Sequence, residues 1–385
     1  MSDRRQLRVP PREEDFRGRL HDERIAARLG AALGIAFAIC FVTGLISHGI
    51  QQPPWWFTWP TRPVNLYRVT QGLHVITGIA SIPLLLAKLA TVYPRLFAWP
   101  PVRSAPHALE RASVLVLVGA AFFELITGLL NIAHWYPWAF FFPTAHFAVA
   151  WIAVGAILVH IAVKLPVIRR ALGEDVDAST DDTPGSNEGP SRRLFLLAAG
   201  AGVAAVVLAT AGATVPWLRR VSVLAVRTGD GPQGVPVNKS AVAAGVIDSA
   251  SDPAYRLEVV SPERTASLTL DDLRGMPQTE ASLPIACVEG WSASATWQGV
   301  RVRDLVELVG GSSESDVRFV SLQASGLYGS SVLPALHARD DLSLLALRIN
   351  GEELDLDHGF PCRLIASNRP GVLQTKWVQR IEVQA

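Results

Sequence analysis

Cys287 is the residue from which chemistry can be read most directly. It ends the apolar, strand-like run Leu283-Pro284-Ile285-Ala286 and is followed by Val288-Glu289-Gly290-Trp291 and by Trp297-Gln298-Gly299. A thiolate is a strong nucleophile and a soft metal ligand, and Gly290 lets the backbone turn just beyond it. A lone cysteine in an apolar run is more often inert core, so the assignment needs support from the residues around it. Cys40 and Cys362 read as small buried residues, which leaves no disulfide framework. A second group of candidate ligands consists of His74, His146 and His160, set inside long apolar stretches. An ionisable side chain in such a stretch marks a functional position by default.

Those stretches are candidate membrane spans. The chain has 385 residues, 49% hydrophobic and only 18% charged, and its mean hydropathy is positive. This is too apolar for an ordinary soluble protein. A net charge of +1 gives no field that would favour nucleic acid. Five segments reach the ~20 residues a bilayer requires: Ile25–Ile50, Tyr67–Val92, Leu109–Ala133, Phe140–Leu165 and Leu194–Val215. Arginines and lysines gather before the first span, between the second and third, and between the fourth and fifth, whereas Trp55, Trp56, Trp59, Trp135 and Trp138 fill the other loops. The positive-inside rule then places the N-terminus in the cytoplasm and the C-terminal domain outside.

The first four spans repeat. His74 pairs with His146, Lys88 with His160 and Pro94 with Pro166, all at one offset (146−74 = 160−88 = 166−94 = 72), and Thr43-Gly44-Leu45 pairs with Thr127-Gly128-Leu129. Two like helical hairpins predict a four-helix bundle. His74 and His146 then lie at equal depth on equivalent helices, where two imidazoles can ligate a haem iron axially. Gly44 and Gly128 would leave room for a flat macrocycle. The inner pair is Lys88 with His160, so one outer haem is expected. His48 and His134 end their helices at the outer face and are rival ligands. The pattern resembles the haem b membrane subunits of quinol-linked oxidoreductases, and histidines without haem are the alternative.

Ser191-Arg192-Arg193-Leu194-Phe195-Leu196 resembles a twin-arginine export motif at the head of the fifth span. The plain alternative is a positive-inside flank. Ala209-Thr210-Ala211 could pass as a cleavage site, but Trp217 and Arg219 suit the outer interface and favour an uncleaved anchor. Before it, the acidic Gly/Ser/Pro-containing run at 172–190 reads as a flexible cytoplasmic linker.

From about Arg219 the composition is that of an α+β domain. Strands are expected at Tyr255–Val260, Val317–Leu322, Leu344–Ile349 and Lys376–Val383, a hairpin turn at Asn350-Gly351 and a short helix over Val302–Val309. Cys287-Val288-Glu289-Gly290-Trp291, Trp297-Gln298-Gly299, Asn350-Gly351-Glu352, His358-Gly359-Phe360-Pro361-Cys362-Arg363-Leu364 and Gly371 with Lys376-Trp377-Val378 together resemble the molybdopterin-binding domain of the sulfite oxidase family. The resemblance runs from about Val235 to the C-terminus. It implies a molybdenum–molybdopterin cofactor, Cys287 as the protein ligand to molybdenum and catalytic residue, and His358, Arg363 and Lys376 as cofactor-binding residues, with Asn238 touching the pterin. Tyr328 is a further residue near the metal, and Trp291 and Trp297 are pocket wall or core. Animal sulfite oxidases resemble Cys-x-Gly-Asn-Arg after the cysteine. Here an acid and an aromatic follow, which is closer to the methionine-sulfoxide reductase branch.

The expected organisation is therefore a cytoplasmic tail (1–24), a four-helix transmembrane cytochrome b-like domain (25–171), a linker (172–190), a transmembrane anchor (191–217) and an extracytoplasmic molybdopterin domain (218–385). The expected reaction is reduction of a small S-oxide or N-oxide with electrons from membrane quinol through haem b, after insertion that engages the twin-arginine translocase. The alternative direction is oxidation of sulfite or a related compound, with electrons passed to quinone. The alternative of another class is a non-catalytic module with a vestigial site.

Overall fold

The computed structural model describes residues 18–177, 191–226, 231–326 and 328–384. Most of the expected tail and of the expected linker lie outside them. The chain forms two compact units, Met1–Gly44 with Leu73–Thr210, and Leu45–Gly72 with Ala211–Ala385. The loop between the first two long helices thus belongs to the C-terminal unit, where a contiguous domain from 218 was expected.

The long helices are α1 (Glu23–Gln51), α2 (Leu66–Val92), α3 (Ala105–Ile132), α4 (Phe142–Gly173) and α5 (Arg192–Thr210). All five are long and apolar enough to cross a membrane. Large apolar side chains such as Leu115, Trp151 and Leu197 remain exposed along them. Within the first unit α1 meets α2 through Cys40 Sγ, 3.0 Å from Thr77 Oγ1, and Phe41 packs edge-on against Trp151 of α4. The repeat-related prolines diverge. Pro94 lies in the 3₁₀ turn Tyr93–Phe97 that follows α2, whereas α4 runs through Pro166 to Gly173.

The second unit contains two five-stranded sheets. The first has the order β2 (Thr265–Leu268), β1 (Leu257–Val260), β10 (Val378–Val383), β5 (Val317–Ser321), β6 (Ser330–Leu333), with β1 and β10 parallel and the other pairs antiparallel. The second runs β3 (Thr279–Ala286), β4 (Ser292–Arg301), β7 (Leu344–Ile349), β8 (Glu352–Glu353), with β9 (Arg363–Ile365) also on β7. Side chains alternate faces along a strand. Leu345 and Leu347 of β7 accordingly enter one core with Phe319, Leu364 and Ile381, while Leu344 and Ala346 enter another with Leu283, Trp297 and Ile365; the register shift against β4 between Ala346 and Arg348 breaks the alternation and brings Ile349 into this second core too. Burial on both faces explains why Leu344–Ile349 reads as a nearly continuous apolar run. Asn350 and Gly351, both with positive φ, close the β7–β8 hairpin as the sequence predicts.

Candidate active site

Cys287 sits at the turn between β3 and β4, where the register ends at Ala286 opposite Ser292. Its N–H donates to Trp291 O at 2.9 Å, and Gly290 N–H returns to Cys287 O at 3.0 Å. Gly290 makes this possible with φ +87, a conformation that costs a side-chain-bearing residue. The thiol is fully buried. Asn238 Nδ2 donates to Cys287 Sγ at 2.7 Å, and Trp291 Nε1 donates to Asn238 Oδ1 at 2.7 Å. An indole N–H can only donate, so it fixes which end of the Asn238 amide faces the sulfur. Trp291, expected to be wall or core, is buried but also orients a polar neighbour of the cysteine.

The basic residues expected around a phosphate are brought together by β9, its neighbouring turns and the start of β10. Arg363 Nη1 donates to His358 O at 3.0 Å and Nη2 to Gln374 O at 3.3 Å, and its guanidinium lies 5.2 Å from the centroid of Trp297. Lys376 Nζ donates to Asp357 O at 2.8 Å and to Lys239 O, and stands 4.4 Å over the Trp377 ring. His358 Nε2 lies 2.6 Å from Pro232 O. Burial drives all three groups down. Arg363 falls to about 9 by desolvation, Lys376 to about 7 by desolvation and then the Arg363 charge, and His358 is lowered by desolvation, opposed by Pro232 O. Arg363 Nε, although buried, has no hydrogen-bond partner. A buried cation cluster satisfied mainly by carbonyls fits an anion, because a phosphate supplies the negative charge that carbonyls lack. Asn238, which donates to Cys287 Sγ, is followed by Lys239, whose carbonyl accepts from Lys376 Nζ, so two consecutive residues link the cysteine to the cations.

Other expectations sort clearly. Trp297 is fully buried, its indole held by Leu283 O at 3.3 Å, and it supplies the aromatic face under Arg363. Cys362 is core, 3.2 Å from Tyr255 Oη, with its thiol pushed up to about 12 by burial. Tyr328 is pushed up by desolvation, with smaller contributions from the charges of Cys287 and Glu289, and remains partly exposed. Arg219, expected at an interface, donates to Ser292 O at 3.0 Å, while Trp217 stays exposed.

Nothing in the sequence signals that the α1–α2 connection and the opening turns of α2 reach this site. Tyr67 is buried against Ile50 and Ala286, its N–H donates to Asn368 Oδ1 at 3.1 Å, and Gln71 Nε2 reaches Val288 O at 3.4 Å. Arg62 makes a two-armed pair with Asp340 at 2.8 and 2.9 Å. Helical periodicity describes what lies along one element, not which distant loop folds over a strand turn.

In the first unit the histidine repeat is realised as geometry. The His74 and His146 ring centroids are 6.3 Å apart. Each Nδ1 lies 3.2 Å from the threonine of its Thr-Gly pair, Thr43 and Thr127, and His74 Nδ1 is also 2.9 Å from Cys40 O. Gly44 and Gly128 face the imidazoles. A Cβ at Gly44 would crowd His74 Cε1 at 3.3 Å, whereas one at Gly128 would make ordinary contact with His146 Cε1 at 3.8 Å. Glu124 Oε2, unforeseen, is 3.0 Å from His146 Nε2. Lys88 does not join His160 in a ligand pair and donates instead to Ala26 O at 2.9 Å.

Residues 244–385 match the family model of the oxidoreductase molybdopterin binding domain. The chain is 33% identical to the "Putative protein-methionine-sulfoxide reductase subunit YedZ1" of Azospira oryzae, over 36% of its own length and 50% of that protein's. It is 31% identical to human mitochondrial sulfite oxidase over 34% and 30% of the two lengths, and 34% identical to the uncharacterized oxidoreductase YuiH of Bacillus subtilis over 30% and 57%. The chain thus spans half or less of the length of the first two of these relatives. Because the family match takes in Cys287, His358, Arg363 and Lys376 together, and agrees with the sulfite oxidase relatives, the C-terminal part of the chain is a molybdopterin-binding oxidoreductase domain of the sulfite oxidase family.

Proposed function

We propose that the chain is a membrane-anchored molybdenum oxidoreductase that removes oxygen from a small S-oxide or N-oxide, using electrons drawn from quinol. The observation that carries this reading is the buried Cys287 sulfur, linked through Asn238 and the adjacent Lys239 carbonyl to Lys376 and its neighbour Arg363, whose Nε is left unpartnered. Cys287 is the residue to hold molybdenum, Arg363 and Lys376 to hold the pterin phosphate, His358 and Asn238 to position the pterin. When bound, this cofactor supplies two-electron oxygen-atom transfer. In the overall reaction the S–O or N–O bond breaks, and the oxygen leaves as water with two protons and the two electrons that quinol gives up. Glu289, buried two residues beyond the thiol, opposes an anionic substrate such as sulfite and supports a neutral oxide. The methionine-sulfoxide reductase name of one relative points the same way.

His74 and His146 are proposed as the haem b ligands. Two imidazoles on one iron, each with a metal–nitrogen bond of about 2 Å, put ring centroids roughly 6 Å apart, which the 6.3 Å separation fits. Nδ1 contacts to Thr43, Thr127 and Cys40 O leave Nε2 as the ligand atom, as second-shell bonds at metal sites do. Ligation requires the Glu124 carboxylate to give up its contact with His146 Nε2. The four-helix arrangement of α1–α4, the cytoplasmic N-terminus and the extracytoplasmic catalytic domain belong to the same reading. So does a fifth helix retained after insertion through the twin-arginine translocase: Ala211, Gly212, Ala213 and Thr214 are buried in the catalytic unit.

The test is metal analysis and a reduced-minus-oxidised spectrum of detergent-purified protein from a cofactor-competent host, with S-oxides and N-oxides as substrates. Molybdenum and b-type bands are expected. Cys287→Ala should lose at least about a thousandfold in oxide reduction and keep the haem bands, as removal of a group central to chemistry does. His74→Ala or His146→Ala should lose the bands and quinol-driven turnover while dye-driven turnover persists. Protein without molybdenum, or oxide reduction surviving in Cys287→Ala, refutes the reading. Sulfite-driven quinone reduction without oxide reduction reverses the direction.

A further inference from the structure

The turn that carries Cys287 is braced from outside as well as by its own two hydrogen bonds. Its alternate residues present polar groups to one side, and a side chain from elsewhere in the unit meets each of them. Gln71 Nε2 reaches Val288 O at 3.4 Å, Thr214 Oγ1 donates to Gly290 O, Arg219 Nη2 donates to Ser292 O at 3.0 Å, and Arg68 Nη1 donates to Ser294 Oγ at 2.9 Å. The donors come from two short segments, the opening turns of α2 and the stretch just after α5. Gly72 allows them to approach each other, since a Cβ there would stand 3.0 Å from Thr214 Cγ2. Gly212 keeps the second segment compact. Its N–H donates to Ser222 Oγ at 2.8 Å, and a Cβ would lie 2.9 Å from Arg219 Cα. Gln71 and Thr214 are both buried, so the carbonyls they cap have little water to replace a lost donor.

We infer that Gln71, Thr214 and Arg219 are positioning residues for the Cys287 turn, set by the segments that adjoin α2 and α5. Carbonyls at 288, 290 and 292 capped from outside hold the Cys287–Gly290 turn in one conformation, and Asn238 then meets a fixed sulfur. The extracatalytic stretch 45–72 thereby completes the catalytic unit. The consequence for the metal rests on the proposed function, whereas the conformation of the turn does not.

Hydrogen exchange on full-length protein in detergent separates the two. Thr214→Val removes the donor at nearly constant volume. Exchange of the peptide containing Cys287–Trp291 should quicken about tenfold, the scale expected when a buried acceptor loses its donor. β5 should be unchanged, and Thr214→Ser should restore the slow rate. Gln71→Met should act on the same peptide. In molybdenum-loaded protein the Mo(V) paramagnetic spectrum of Thr214→Val should shift at unchanged molybdenum content. Unchanged exchange in both variants overturns the inference, as does an equal rise in β5, which would make these residues supports of the whole fold. If the wild type holds no molybdenum, the proposed function fails and the exchange result still decides this point.

Discussion

Lys376 shows what burial does to a point charge. Its ammonium is held by two carbonyls and an indole face beside Arg363, and desolvation brings it to about 7 from its ordinary 10.5. In cofactor-free protein the sign of the pH dependence follows. Below about pH 7 the group is charged in both the folded and the unfolded chain, and the burial penalty is complete. Between there and 10.5 the unfolded chain binds the extra proton, so stability rises with pH. The melting temperature of cofactor-free protein should therefore increase from pH 7 to 9, with a gain of up to ~2.7 kcal/mol over two pH units, and Lys376→Met should flatten the rise. An equally steep rise in that variant would assign it to another group. Trp291 and Asn238 make the complementary point for hydrogen bonds. The donor-only indole decides the orientation of an amide that would otherwise be free to present either end to the cysteine.

Among the elements, β4 does the most to connect these residues. It starts beside the Cys287 turn, carries Trp297 under Arg363, and shifts register against β7 between Gln298 and Gly299. Gly299 is required there by proximity: a Cβ would lie 2.0 Å from Leu345 O and 2.6 Å from Ala346 Cα. This is the physical content of the Trp297-Gln298-Gly299 motif, an aromatic that must lie flat and a glycine that lets the next strand close over it. Gly299→Ala should force β4 and β7 apart and cost about 1–3 kcal/mol by overpacking, seen as a lower melting temperature together with weaker retention of molybdenum. A wild-type melting temperature would show that the backbone can move aside at little cost.

At the scale of the molecule, the division into two units cuts across chain order, because residues 45–72 fold with the catalytic sheets and not with the helices they join. Arg62–Asp340 and Tyr67–Asn368 tie this stretch down. Asp340 is lowered overall, burial being outweighed by hydrogen bonds led by Arg62, so its contribution is present above the ordinary carboxylate range and lost as pH falls through its lowered value. In the first unit, Arg192 also has a structural task, an ion pair with Asp22 at 3.0 Å. Replacing Arg192 and Arg193 by lysine keeps the charge for that pair and removes the guanidinium motif. Under the proposed insertion route, the double variant should leave the catalytic domain inside the cell, inaccessible to external protease. A protease-accessible, folded domain would exclude the twin-arginine route.

Much of this protein is determined locally. Five apolar stretches of bilayer length, the His74–His146 repeat, the strand Leu344–Ile349 and the Asn350-Gly351 turn all follow from periodicity, turn chemistry or short motifs, which act over a few neighbouring residues, whereas the grouping of Arg363 with Lys376 is implied by the family resemblance alone. The tertiary structure decided what touches what across long stretches of chain. It gave Trp291 an amide to orient, set Glu124 against His146, turned Gly44 and Gly128 toward the imidazoles, and brought Tyr67, Gln71, Thr214 and Arg219 to the cysteine turn. Such contacts satisfy buried polar groups, and any donor of suitable reach can serve. The amino acids allow them without specifying them, and only the packed chain shows which donor is near.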